Sequence, residues 1–131
     1  MSKSTFTTLV LVALLLLPAS PRADAKKHEW FGEWAMSHDG NPATLRIAEL
    51  KADCNTTPWC DMSISYVNQK GVRHAGRIER IDGKGQHMLF TINFPGNAQK
   101  FDAYIFSWDK RKLAGTTVWS GRTFGFYATK N

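Results

Sequence analysis

The spacing of the turn formers constrains this chain most. From residue 28 onward, glycine, proline, asparagine and aspartate cluster repeatedly, and they cut the sequence into runs of about 6–10 residues. Helices of ordinary length do not fit between such breaks; strands do. Within several runs apolar and polar residues alternate, the period of two that marks a half-buried strand. Glu29 to Met36 puts Trp30, Gly32, Trp34 and Met36 on one face, and His38-Asp39-Gly40-Asn41-Pro42 closes it. Ala43 to Leu50 follows, with Leu45 and Ile47 inward. Asp61 to Val67 sets Met62, Ile64 and Tyr66 against Asp61, Ser63 and Ser65, ahead of a turn at Asn68-Gln69-Lys70-Gly71. Val72 to Asp82 ends at Asp82-Gly83, a hairpin signal. His87 to Phe94, Lys100 to Trp108, Leu113 to Trp119 and Thr123 to Lys130 complete eight runs.

Eight hairpin-linked strands have one economical arrangement. An all-β, eight-stranded antiparallel up-and-down barrel leaves no exposed edges, and at that strand number the interior is either packed or holds one small ligand. The alternative is a β-sandwich, which the same alternation permits. No repeat, linker or low-complexity tract divides the chain, so residues 26–131 are expected to form a single domain.

Residues 1–25 read differently. Lys3, an apolar run from Leu9 to Leu17, Pro18 and the Ala23-Asp24-Ala25 pattern form a signal peptide with cleavage before Lys26. The apolar run is too short to span a bilayer, which needs roughly 18–20 residues, so no stable membrane anchor is expected. The mature product is therefore expected to be periplasmic or secreted. In such a compartment two cysteines pair, and Cys54 and Cys60 enclose a loop of five residues. A disulfide there contributes on the order of 2–3 kcal/mol.

Removing the leader takes away Lys3, Arg22 and Asp24 and leaves 15 basic and 10 acidic residues, a net charge of +5. The basic residues are dispersed. Arg73, Arg77 and Arg80 have mixed parity, so a regular strand would not present all three on one face, and no nucleic-acid partner is expected. Catalysis is not expected either. His28, His38, His74 and His87 are scattered, with no metal-ligand spacing and no nucleophile-base-carboxylate set; neither metal nor cofactor is implied.

Gly32-Glu33-Trp34 on the first strand resembles the start of the calycin group, the lipocalins and avidins, where a G-x-W seals one end of an eight-stranded barrel. Phe101-Asp102-Ala103-Tyr104 is loosely similar to the lipocalin T-D-Y, without its threonine. The resemblance implies non-covalent binding by the barrel mouth or its loops, and no catalytic residues. The leading expectation is an exported protein that binds a small apolar or amphipathic ligand. Trp34, Trp108 and Trp119 are candidate pocket walls, and Ser65, His74, Asn93 and Thr117 are candidate polar contacts. The alternative is a periplasmic protein inhibitor or interaction module, in which Trp59 of the cysteine loop and the free segment Lys26 to Glu29 would contact an exported protein. A homo-oligomer is a further expectation. Tyr104, Phe106, Trp108 and Tyr127 fall on the faces opposite the expected core, and avidin-like barrels associate through the outer walls of late strands.

Overall fold

A computed structural model describes residues 26–50 and 59–131 of the chain. The expected leader and Cys54 lie outside the described residues; Cys60 is not a free thiol. A short 3-10 turn, Lys27–Trp30, precedes eight strands: β1 Gly32–His38, β2 Asn41–Glu49, β3 Met62–Val67, β4 Arg73–Asp82, β5 His87–Phe94, β6 Asn97–Ile105, β7 Lys112–Trp119 and β8 Arg122–Lys130. Each pairs antiparallel with its sequence neighbour, and β8 pairs with β1, so the sheet closes into an up-and-down barrel. The sandwich arrangement is thereby ruled out.

The turns explain the order. β1 and β2 are joined by Asp39-Gly40 alone, both at positive φ (49° and 79°), the backbone whose twist matches a tight hairpin. Ser120-Gly121 repeats the device between β7 and β8, with φ of 51° and 75°. Pro95-Gly96 is the two-residue link between β5 and β6. These turns and the one after β3 gather at one end of the barrel. The N-terminal turn, the end of β2 and start of β3, the longer β6–β7 connection and the C-terminus lie at the other.

That second end is sealed. Trp34 and Trp30 are fully buried; Trp34 Nε1 donates to the Trp30 carbonyl at 2.9 Å, and Trp30 Nε1 donates to the Gly85 carbonyl at 2.7 Å. Lys130 on the last strand lays its ammonium over the Trp34 ring, 4.8 Å from the centroid, and donates to the Glu29 carbonyl. Burial and the nearby Arg111 lower the Lys130 pKa. Above this plug the interior is packed by inward side chains of every strand, among them Met36, Leu45, Ile64, Phe90, Phe101 and Leu113. Phe90 and Phe101 stack with centroids 4.9 Å apart, and Phe126 meets Phe101 edge-on. The barrel is thus filled through its middle, and among the described residues its interior space lies near the open end.

Four sequence expectations change. A β-bulge between Ile78 and Arg80 shifts the register of β4, so Arg73, Arg77 and Arg80 are all exposed on the outer wall despite their mixed parity. Arg77 and Arg80 pair with Glu79 and Asp82, which offsets their charge. β6 ends at Ile105, and Phe106 and Trp108 belong to the connection that follows. Trp59 is partly buried and packs against the core, so it is no free loop tip. The segment after Lys26 is docked too: Lys27 pairs with Asp61, and the Glu29 carbonyl accepts from Lys130.

Candidate functional site

The open end carries a cavity of about 310 Å³, at the lower limit of small-molecule pockets. Its walls are aromatic. Tyr66 from β3, Phe94 from the end of β5, Trp119 from the end of β7 and Phe124 from β8 line it, all on inward-facing positions. Phe94 stands perpendicular to two of its neighbours: its ring makes 82° with Tyr66 at 5.1 Å and 90° with Trp119 at 5.9 Å. His74, paired across from Tyr66, packs on Phe94 with centroids 4.7 Å apart. Rings held at right angles around a hollow form a box with apolar faces.

The polar groups are few and fixed. His38, the last residue of β1, continues the inward parity of Trp34 and Met36 and brings its Nε2 to 2.6 Å from the Tyr66 hydroxyl. Burial lowers the His38 pKa, with the neighbouring Asp39 carboxylate opposing the shift, and burial raises that of Tyr66. Both rings are neutral near pH 7. A neutral imidazole and a phenol carry two hydrogens between them, and their mutual bond uses one. The other sits on the Tyr66 hydroxyl if Nε2–H donates, and on His38 Nδ1 if the hydroxyl donates. Gln99, buried in β6, reaches the cavity floor and donates to Thr117 Oγ1 at 2.8 Å, while that hydroxyl donates to the Lys100 carbonyl at 2.7 Å. Asp39 and Asn41 complete the rim.

A second hollow, about 390 Å³, adjoins the first and shares His38, Asn41 and Tyr66 with it. Its far side is formed by Pro42, Asn68, Gln69 and Lys70. The mouth therefore has an aromatic well and a shelf that carries the amides of Asn68 and Gln69 and the Lys70 ammonium.

Of the residues expected at a site, the structure brings together three. Trp119 is a wall, 39% exposed; His74 supports the wall; Thr117 lies just beneath the floor. Four are elsewhere. Trp34 is fully buried in the opposite end, where the close of the barrel needs its bulk. Trp108 is 83% exposed on the connection at that same end. Ser65 and Asn93 have outward parity, opposite to Tyr66 and Phe94. Four contributors were missed. The turn signal of His38-Asp39-Gly40 hides His38, although period two carries Trp34 and Met36 directly to it. Phe94 and Phe124 follow the parity of Phe90 and Phe126. Gln99 falls before the sixth run of the sequence, whereas the strand starts at Asn97 rather than Lys100.

The remaining histidine on a strand is far from this group. His87 lies on the outer wall, with Nδ1 at 2.6 Å from Asp82 and Nε2 bonded to Asp102, stacked on Tyr104 at 4.3 Å. Among the described residues no cluster of three or more metal-ligating side chains occurs, and no helix is long and apolar enough to cross a membrane.

No family model matches the chain, and no curated protein matches it. The likeness to calycins accordingly rests on architecture: eight antiparallel strands in up-and-down order, closed, with the G-x-W tryptophan at the sealed end.

Proposed function

We propose that the protein is an exported, non-catalytic binding protein that takes a small amphipathic ligand in the mouth of its barrel. The observation that carries this reading is the aromatic well of Tyr66, Phe94, Trp119 and Phe124 beside the donor pair His38–Tyr66. Small-molecule sites combine apolar walls with a few oriented polar groups, and both meet here. The well admits about ten non-hydrogen atoms if each takes roughly the volume of a water molecule. A long chain threaded down the axis is not compatible with the packed core.

The reading in which loops contact another protein has less support. Both contacts it would use, Trp59 and the segment after Lys26, are engaged with the barrel itself.

Ligand binding to the native state raises the melting temperature by mass action. A thermal-shift screen of compounds of about this size should therefore find stabilisers whose effect disappears in Trp119→Ala, a change at the rim that leaves the core intact. Stabilisers that act equally on the Trp119→Ala protein would place binding elsewhere.

A further inference from the structure

The well and the shelf differ in what they offer. The well presents ring faces. The shelf presents donors, and their orientation is set by the turn that carries them. Asn68 Oδ1 accepts from the backbone N–H of Lys70 at 2.9 Å and of Val72 at 3.0 Å. An amide whose oxygen is turned into its own turn directs its NH2 the other way, so Asn68 contributes hydrogen-bond donors to the shelf. Lys70, two residues on, adds three N–H donors and a positive charge with no acceptor of its own. The neutral His38–Tyr66 pair, common to both hollows, holds the one further hydrogen counted above.

The wider field has the same sign. Around the four turns at this end, Lys70 and Arg122, with Arg73 beside them on the outer wall, outnumber a single carboxylate, Asp39. His38 and His74 also face the mouth, and His38 is kept neutral by burial. An excess of one sign of charge around a cleft concentrates ligands of the other.

We infer that the ligand is an amphipathic carboxylate, its apolar body in the Tyr66–Phe94–Trp119 well and its carboxylate on the shelf against Lys70 Nζ and Asn68 Nδ2. This rests on the binding role proposed above and gives the ligand its charge. Asp39 lies on the well side of the mouth, where an apolar group would sit; its repulsion tempers the preference without reversing it.

Three compounds with one body and different ends test the inference: 3-phenylpropionate, 3-phenylpropan-1-ol and 3-phenylpropylamine, titrated calorimetrically into protein produced from the full chain. Because Lys70 is exposed, the carboxylate should gain only what a surface ion pair gives, so 3-phenylpropionate should bind up to about fivefold tighter than the alcohol. The amine should bind more weakly than the alcohol. Lys70→Gln should remove the preference for the acid over the alcohol. Asp39→Asn should widen that preference, and asparagine tolerates the positive φ of that turn residue. If the alcohol binds as tightly as the acid, or Lys70→Gln leaves their ratio unchanged, the anionic inference is overturned and the binding role stands. If none of the three binds, the mouth is not the site, and both readings fail together.

Discussion

Gly115 and Gly125 lie on neighbouring strands of the same wall, β7 and β8, and the same substitution at each should have opposite consequences. A Cβ built on Gly115 falls 1.8 Å from the Asp102 carbonyl oxygen, 2.8 Å from its carbon and 3.1 Å from Ala103 Cα. All three atoms are backbone, so no rotamer change relieves the clash. To restore an ordinary contact of 3.4 Å, β6 and β7 must separate by about 1.6 Å at this point, the difference between 3.4 and 1.8. Overpacking of this kind costs about 1–3 kcal/mol. The separation also breaks ladder bonds around the Gly115–Ala103 pair, and two of them add about 2 kcal/mol. Gly115→Ala should therefore destabilise by about 4 kcal/mol, a fall in Tm of about 16–32 °C for a domain of this size. A Cβ on Gly125 meets nothing within 4 Å, and its φ is not in the positive region. Gly125→Ala should lie between no change and a gain of about 1 kcal/mol, because the unfolded chain loses freedom. Urea denaturation of the two variants decides the matter. Equal stabilities would refute the close approach of β6 and β7 on which the closed wall depends.

Gly32 offers a third glycine with a different cause: its φ is +137°, a conformation β-branched residues avoid, so Gly32→Val should cost about 1–3 kcal/mol by chemical denaturation even though only the flexible Lys130 side chain lies nearby. The folded-state pKa of His38 is depressed by burial, so the unfolded chain takes up protons first as pH falls. Stability should be fully present above the ordinary histidine pKa of about 6.5, decline as pH drops through and below it, and decline less in His38→Gln; identical pH profiles would count against a buried neutral imidazole. Tyr104 and Tyr127, 51% and 62% exposed, lie on one outer row through their common partner Ala114. Sedimentation should show self-association that Tyr127→Lys abolishes, and a monomer at high micromolar concentration would dismiss the expected homo-oligomer.

The sequence disclosed the barrel because its information is local and repeated. Turn formers mark every hairpin, and period two tells the two faces apart. Tyr127 against Phe124 and Phe126 shows how cleanly: parity alone puts the tyrosine outside and both phenylalanines inside, as found. The bulge after Ile78 was not legible, since nothing in Glu79-Arg80 announces an extra residue, and its effect was to gather three arginines on one wall. The site was only half legible for a related reason. Parity says whether a residue points inward, not how far along the axis it lies. Trp34 and Trp119 are both inward tryptophans; one plugs the sealed end and the other frames the mouth. What separates them is which turn each adjoins, and an alternating hairpin chain sends successive turns to opposite ends. Counting ends as well as faces would have rejected Trp108 and selected His38 and Phe94.

The most direct test of the account is to map where a neutral small amphiphile binds. In 1H–15N spectra of the protein titrated with 3-phenylpropan-1-ol, the shifts should centre on the Trp119 indole N–H and the backbone amides of His38, Tyr66 and Phe94. The indole N–H groups of Trp30 and Trp34, hydrogen-bonded at the sealed end, should stay in place. Shifts confined to the outer row of Tyr104 and Tyr127, or to the sealed end, would contradict a binding site in the mouth of the barrel.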